Sequence, residues 1–261
     1  MQKRGQVTLF VIIGIVIFAV IALIFYARST IFLPTTPENL REELANVQQQ
    51  VVSCMDDGDN DAASAKDIII TIGMQGGYLN PGADTYRLYN DTRISYLCYN
   101  IPNDDRCYNR LLTKNQMEEQ ISSAIVDSLS RCVDFNILGR FKPYDIISQP
   151  PSASVEIGNE AVLVDLNYPI ILQSRKSDAR VTSQGIRRSY DMPLGKLYDV
   201  SQDIIDFETT VGRFDVLTYM LSKQGRIRIY PLKPYPDKIY IIKEENNDYV
   251  FQFAVQDEPG F

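Results

Sequence analysis

The sequence predicts an α+β fold with an N-terminal transmembrane helix, a helical membrane-proximal region and a mostly antiparallel sheet with one long helix. Three observations predict it: an uncharged apolar run at residues 7–27, helical spacing of apolar residues within residues 38–150, and alternating strand patterns after Pro151. The predicted divisions are a leader and transmembrane helix at 1–27, a juxtamembrane connection at 28–37, a disulfide-stapled helical region at 38–150 and an α+β region at 151–261.

The first element is predicted from the uncharged run at residues 7–27. Its length of about 21 residues is enough for one helix to cross a hydrocarbon core of roughly 30 Å. No small-x-small cleavage site follows the run, so the helix is expected to persist as an anchor. Lys3 and Arg4 precede it, which places the N-terminus in the cytoplasm and the C-terminal domain outside the cell. The predicted location is the cell membrane, crossed once.

The helical region is expected to contain three amphipathic helices, at residues 38–54, 62–75 and 114–132. Asn60 or Asp61 is a natural N-cap for the second helix, and Thr113 with Gln116 forms a capping-box pattern before the third. The tyrosine-rich and turn-rich residues 78–112 are predicted to be a loop or a hairpin.

The region after Pro151 shows a different pattern. Gly158-Asn159 lies between alternating segments and predicts a β-hairpin, and residues 180–193 are read as extended. One long helix is predicted over residues 195–223. Its core-facing residues are expected to be Leu197, Val200, Ile204, Val211, Phe214, Leu217 and Leu221. Three strands follow, at residues 226–230, 238–242 and 249–255.

The four cysteines are even in number and suit two disulfides in an oxidising compartment. Cys98 and Cys107 flank a strong turn sequence and can close a small loop. Cys54 and Cys132 then remain, each at the end of a predicted helix. A zinc site is the competing interpretation, but the chain has no histidine and no Cys-x-x-Cys spacing. The predicted pairs are Cys54–Cys132 and Cys98–Cys107.

Composition argues against several classes of function. The chain has 26 basic and 33 acidic residues, a net charge of −7, which argues against a nucleic-acid partner. The absence of histidine removes the commonest general base, and no phosphate-binding loop occurs. No catalytic residue and no cofactor are predicted, and the chain is not expected to be an enzyme.

Three weaker site signals remain. Asp57, Asp59 and Asp61 alternate and could offer oxygen ligands to Ca²⁺, although a solvated loop with helix-capping aspartates is the favoured interpretation. Asn90 begins an Asn-Asp-Thr glycosylation sequon. Six tyrosines suggest either a recognition surface or packing within a small lobe: Tyr78, Tyr86, Tyr89, Tyr96, Tyr99 and Tyr108.

The segment Lys3-Arg4-Gly5-Gln6-Val7-Thr8-Leu9 resembles the N-terminus of archaeal type IV pilin-like proteins with class III signal peptides. The resemblance implies that a prepilin-type peptidase cuts between Gly5 and Gln6 and that the following apolar helix serves in assembly. The family usually has Glu where Phe10 stands, which puts assembly by the familiar route in doubt. A plain uncut signal anchor is the alternative. The remainder, including the segment at residues 74–78, looks like uncharacterised single-pass surface proteins of archaea.

These features lead to the expectation of a membrane-anchored structural or interaction protein, active in cell-surface assembly or adhesion, with a pilin-like filament subunit as a refinement. Its expected partners are the membrane and other envelope or surface proteins, including copies of itself. The alternative is a ligand-binding module of an envelope transport or secretion system, with a concave pocket lined by tyrosines. An envelope hydrolase that uses two carboxylates is the third and least favoured class.

Overall fold

A computed structural model describes residues 13–23, 37–59, 61–100, 107–212 and 214–256. The helices are α1 (residues 13–23), α2 (Pro37–Asp56), α3 (Ala65–Met74), α4 (Lys114–Cys132), α5 (Phe135–Leu138), α6 (Leu194–Thr210) and α7 (Val216–Ser222). The strands are β1 (Tyr86–Tyr89), β2 (Thr92–Asn100), β3 (Cys107–Asn109), β4 (Tyr144–Ser148), β5 (Ser152–Ile157), β6 (Val162–Asn167), β7 (Ile170–Ser174), β8 (Arg180–Thr182), β9 (Ile186–Tyr190), β10 (Ile227–Leu232), β11 (Lys238–Glu244) and β12 (Val250–Val255). The fold is α+β.

The transmembrane part of the predicted fold is wrong. Within the described ranges, no helix is both long enough and apolar enough to cross a membrane. Helix α1 is described over residues 13–23. Residues 7–12 and 24–27 of the predicted span lie outside the described residues. The finding counts against the predicted single-pass membrane location and the orientation derived from it.

The largest sheet has six strands in the order β1-β2-β12-β11-β10, with β3 also paired to β2. Strand β12 runs parallel to β2, and the other pairs in this sheet are antiparallel. Helix α3 lies directly on β12: a Cβ at Gly73 would approach the Val250 carbonyl oxygen to 2.4 Å. Tyr249 anchors the same contact by donating from its hydroxyl to the Ile69 carbonyl, 3.0 Å away. The last strand therefore lies inside the fold.

Strands β4 to β9 form two three-stranded antiparallel sheets, in the orders β4-β7-β8 and β5-β6-β9. The pairings show that these sheets are the two halves of one kinked three-strand meander, because β5 follows β4, β7 follows β6 and β9 follows β8 along the chain. Pro150, Pro151 and Pro169 lie at the kink, where they cannot donate to a ladder. Ser183 bridges the break: its hydroxyl accepts from the Ile170 N–H and donates to the Tyr168 carbonyl.

Helices α2 and α4 cover the inner face of the meander, and their apolar stripes belong to one core shared with the six-stranded sheet. Residues 38–150 and 151–261 thus contribute to the same core. The predicted capping box of α4 at Thr113 and Gln116 is confirmed. The predicted cap of α3 is wrong: Ser64, rather than Asn60 or Asp61, accepts from the Asp67 N–H.

The long helix predicted over residues 195–223 is two helices, α6 and α7. Gly212 adopts a positive φ of 84°, which helical residues do not adopt, and Asp215 begins α7 by accepting from the Thr218 N–H. Val211, Leu217 and Leu221, which were expected to face the core, are 65%, 65% and 71% exposed. The break changes the direction of the chain, so the apolar stripe does not continue across it.

Candidate functional sites

The two predicted disulfides are present with the predicted partners. Cys54–Cys132 joins the ends of α2 and α4 with an S–S distance of 1.95 Å, and its residues are 78 positions apart. Cys98–Cys107 joins β2 to β3 across 9 positions. Cys54 and Cys98 are both buried in the main core. One bridge therefore holds two helices together, and the other holds two neighbouring strands of the six-stranded sheet together.

The three aspartates weighed as a Ca²⁺ site lie in the turn after α2, and all three are exposed. Asp57 accepts from the Ser53 hydroxyl at 3.1 Å, and Asp59 accepts from the Asp61 N–H at 2.8 Å. No group of three or more His, Cys, Asp or Glu side chains that could hold a metal ion occurs among the described residues. The contacts of these aspartates are those of a turn between helices.

The two predicted modification sites are the glycosylation sequon at Asn90 and the processing site between Gly5 and Gln6. Asn90 lies exposed at the β1–β2 turn, where Asn90 and Asp91 both have positive φ values, 47° and 60°. That geometry is the one that two-residue hairpin turns favour. The processing site predicted between Gly5 and Gln6 lies outside the described residues.

The six tyrosines differ in their burial and in their contacts. Tyr78 and Tyr99 lie on either side of Arg110, whose guanidinium carbon is 5.8 Å and 5.6 Å from their ring centroids. Burial raises the pKa of the Tyr78 hydroxyl, which donates to the Arg110 carbonyl. Tyr108 is 62% exposed on the short strand β3. The remaining three lie on the β1–β2 hairpin: Tyr86, Tyr89 and Tyr96. The rings of Tyr96 and Tyr99 are in contact, with centroids 5.9 Å apart.

Helix α1 is an apolar surface. Each of its eleven residues is exposed, and none carries a charge or a hydrogen-bonding side chain. Phe18 and Leu23 are 75% and 69% exposed, and Ile15 is 64% exposed. Contiguous exposed apolar surface of this kind marks sites of association. Unlike α6, this helix has no polar face that could be directed to water while the other is buried.

A cleft of about 790 Å³ opens where the α6–α7 break faces β10 and β11. The buried carboxylate of Glu208 lies at its base and accepts from three donors: the Tyr240 hydroxyl at 2.5 Å, the Phe214 N–H at 3.2 Å and the Lys238 ammonium at 3.2 Å. The side chains of Glu208 and Lys238 are only 3% and 17% exposed. We call Glu208, Lys238 and Tyr240 the helix-side cluster. It is a satisfied ion pair of the kind that a buried charge requires.

A second cluster lies on the opposite face of the same sheet. Asp237, whose side chain is 3% exposed, accepts from the guanidinium of Arg87 and from the hydroxyl of Tyr96, the latter at 2.8 Å. Burial, together with the hydrogen bond to Asp237, raises the pKa of Tyr96 to about 12. We call Arg87, Tyr96 and Asp237 the open-side cluster; Tyr96 packs there against the small apolar cluster of Ile94, Ile239 and Ala254, which is separate from the main core.

Neither cluster was predicted from the sequence. One signal was available for the helix-side cluster: Glu208 follows Val200 and Ile204 at four-residue spacing, so it is an acidic residue in an apolar stripe. Such a position predicts a paired carboxylate. Lys238 and Tyr240 are two residues apart and share one strand face. Nothing local connects Arg87 to Asp237, which are 150 positions apart.

Comparisons of the chain with protein-family models, with curated proteins and with solved structures give no match.

Proposed function

We propose that this protein is a structural or interaction protein that associates with further copies of itself through helix α1. The observation that carries the proposal is the exposure of all eleven uncharged residues of α1. Removing apolar surface from water is favourable by about 25 cal/mol per Å². A second copy offers the same apolar surface, so contact between the two α1 helices removes the apolar surface of both from water.

The folded part of the chain supports this role. Two disulfides and one shared core hold α2–α7 and the sheets together. A rigid body carried on an apolar helix is suited to assembly, because the helix can associate without unfolding the rest. A pilin-like filament is a refinement of the proposal, since the resemblance at residues 3–9 implies assembly through the segment that includes α1.

The test is the oligomeric state of the full chain in detergent-free buffer, measured by sedimentation velocity. The variant Ile17→Lys/Ile21→Lys puts two charges on exposed positions one helical turn apart in α1. We expect the wild-type chain to sediment as oligomers or fibres and the variant to shift towards monomer. Electron microscopy of the wild type distinguishes fibres from closed oligomers.

The matched control is Ala45→Lys/Gln49→Lys, which adds the same two charges at the same spacing on the exposed face of α2. This control is expected to assemble as the wild type does. A monomeric wild type, or an equal loss of assembly in both double variants, would contradict the proposal.

A further inference from the structure

The cleft beside the helix-side cluster has the dimensions of a small-molecule site. Its volume of about 790 Å³ falls within the range of roughly 300–1,000 Å³ that such sites occupy. It lies between the α6–α7 break and the end of β10, and it is separate from the proposed association surface of α1. Binding of a small molecule in this cleft therefore does not depend on association through α1.

One part of the wall of the cleft is apolar, and the rest carries charged side chains. Phe214, Val216 and Pro231 line it, and the ring of Tyr240 lies behind Phe214 in an edge-to-face arrangement with centroids 6.5 Å apart. The Tyr240 hydroxyl is held by Glu208, which fixes the ring in place. Walls of this kind are suited to a flat apolar or aromatic body.

The charges that line the cleft do not all cancel locally. Glu208 and Lys238 neutralise each other at the base. Asp215 is directed at the first turn of α7, where it accepts from the Thr218 N–H and hydroxyl. Lys233 is exposed and, within the part of the chain that the structure describes, has neither an ion pair nor a hydrogen bond. A cation is thus presented beside apolar walls.

We propose that this cleft binds a small amphipathic organic anion. The apolar body of the ligand lies against Phe214, Val216 and Pro231, and its carboxylate or sulfonate pairs with the ammonium of Lys233. Apolar contact and the ion pair both contribute to the affinity, and the ion pair sets the orientation of the ligand and the preference for an anion. The buried Lys238–Glu208 pair supports the wall and need not be broken when the ligand binds.

The probe is 8-anilinonaphthalene-1-sulfonate, an aromatic body with one sulfonate, titrated into the full-length chain and followed by fluorescence. To separate the cleft from α1, every measurement is made in the Ile17→Lys/Ile21→Lys background. We expect saturable binding of one probe per chain. Lys233→Gln should weaken it about fivefold to tenfold, Lys233→Glu by more than tenfold, and Phe214→Ala should also weaken it.

The matched control is Lys66→Gln, which removes an exposed lysine on α3, far from the cleft lining. It should leave the probe affinity unchanged. Competition by 4-phenylbutyrate but not by 4-phenylbutanol should distinguish an anion site from a merely apolar one. Equal affinity in the Lys233→Gln and Lys66→Gln variants, or equal competition by the acid and the alcohol, would overturn the proposal. Because the α1 charges are already present, failure here leaves the proposed assembly role unaffected.

Discussion

The helix-side and open-side clusters combine the same three kinds of group, a carboxylate, a cation and a tyrosine, on opposite faces of one sheet. They meet at consecutive residues: Asp237 belongs to one and Lys238 to the other. Both carboxylates are 3% exposed, but the cations differ, since Arg87 is 26% exposed and Lys238 is 17% exposed. The clusters therefore differ mainly in what covers them.

The two clusters show how the surroundings of a buried carboxylate determine the hydrogen-bond donors that it needs. Beneath α6, the carboxylate of Glu208 is held by three donors, one of them the backbone N–H of Phe214. On the opposite face, Asp237 is held by two side chains, Arg87 of the edge strand β1 and Tyr96 of β2. Removing an acceptor should cost more where water cannot take its place.

The largest effect is expected for Glu208→Ala. The substitution removes a buried carboxylate that accepts from the ammonium of Lys238, the hydroxyl of Tyr240 and the backbone N–H of Phe214. We expect a loss of about 3–5 kcal/mol in the free energy of unfolding, measured by urea denaturation. The double variant Glu208→Leu/Lys238→Met removes both charges and should recover most of that loss. A single variant as stable as the wild type would show that the pair is not needed beneath α6.

A smaller effect is expected for Asp237→Ala. Arg87 is partly exposed, so water can replace the lost acceptor, and a loss of roughly 2 kcal/mol follows from one charged hydrogen-bonded contact. Because Arg87 lies on β1, hydrogen exchange should accelerate in the β1–β2 hairpin more than in β11 and β12. Asp178→Ala, at an exposed acidic residue, is the control. Equal losses from Asp237→Ala and Glu208→Ala would remove the contrast between the two faces.

How far the sequence could predict these features depends on how local the determining contacts are. The spacing within α4 and its Thr113 cap predicted that helix, because an amphipathic stripe and a cap are local signals. The break at Gly212 was missed, although a glycine followed by a capping aspartate signals a helix end. For residues 7–27, the absence of charge was taken as sufficient for a membrane span, but no helix among the described residues is long and apolar enough to cross a membrane. Arg87 and Asp237 meet only through the sheet, so no local pattern could have joined them.

The tyrosines provide a finer comparison of the two clusters. Tyr240→Phe removes a hydroxyl that donates to a fully covered carboxylate, at 2.5 Å. We expect a loss of about 1.5 kcal/mol at neutral pH, measured by urea denaturation, because the bond is made to a charged group. Phe251→Leu, a buried change that removes no hydrogen bond, controls for altered ring packing. A Tyr240→Phe variant that loses less than Tyr96→Phe would contradict the greater cover assigned to the helix side.

The smallest effect is expected on the open side in alkaline solution. Burial and the bond to Asp237 raise the pKa of Tyr96 from 10.0 to about 12 in the folded chain. A raised pKa contributes stability that is complete below the unfolded value and is lost as the pH rises towards the folded one. Between about pH 10 and 12, the wild type should therefore lose about 1 kcal/mol more than Tyr96→Phe, a difference kept small by the partial exposure of Tyr96. The measurement is urea denaturation of both chains across that range. If the free energy of unfolding changed with pH equally in both chains, Tyr96 would have the same pKa in the folded and the unfolded chain. The hydrogen bond from Tyr96 to Asp237 would then be no stronger than a hydrogen bond to water.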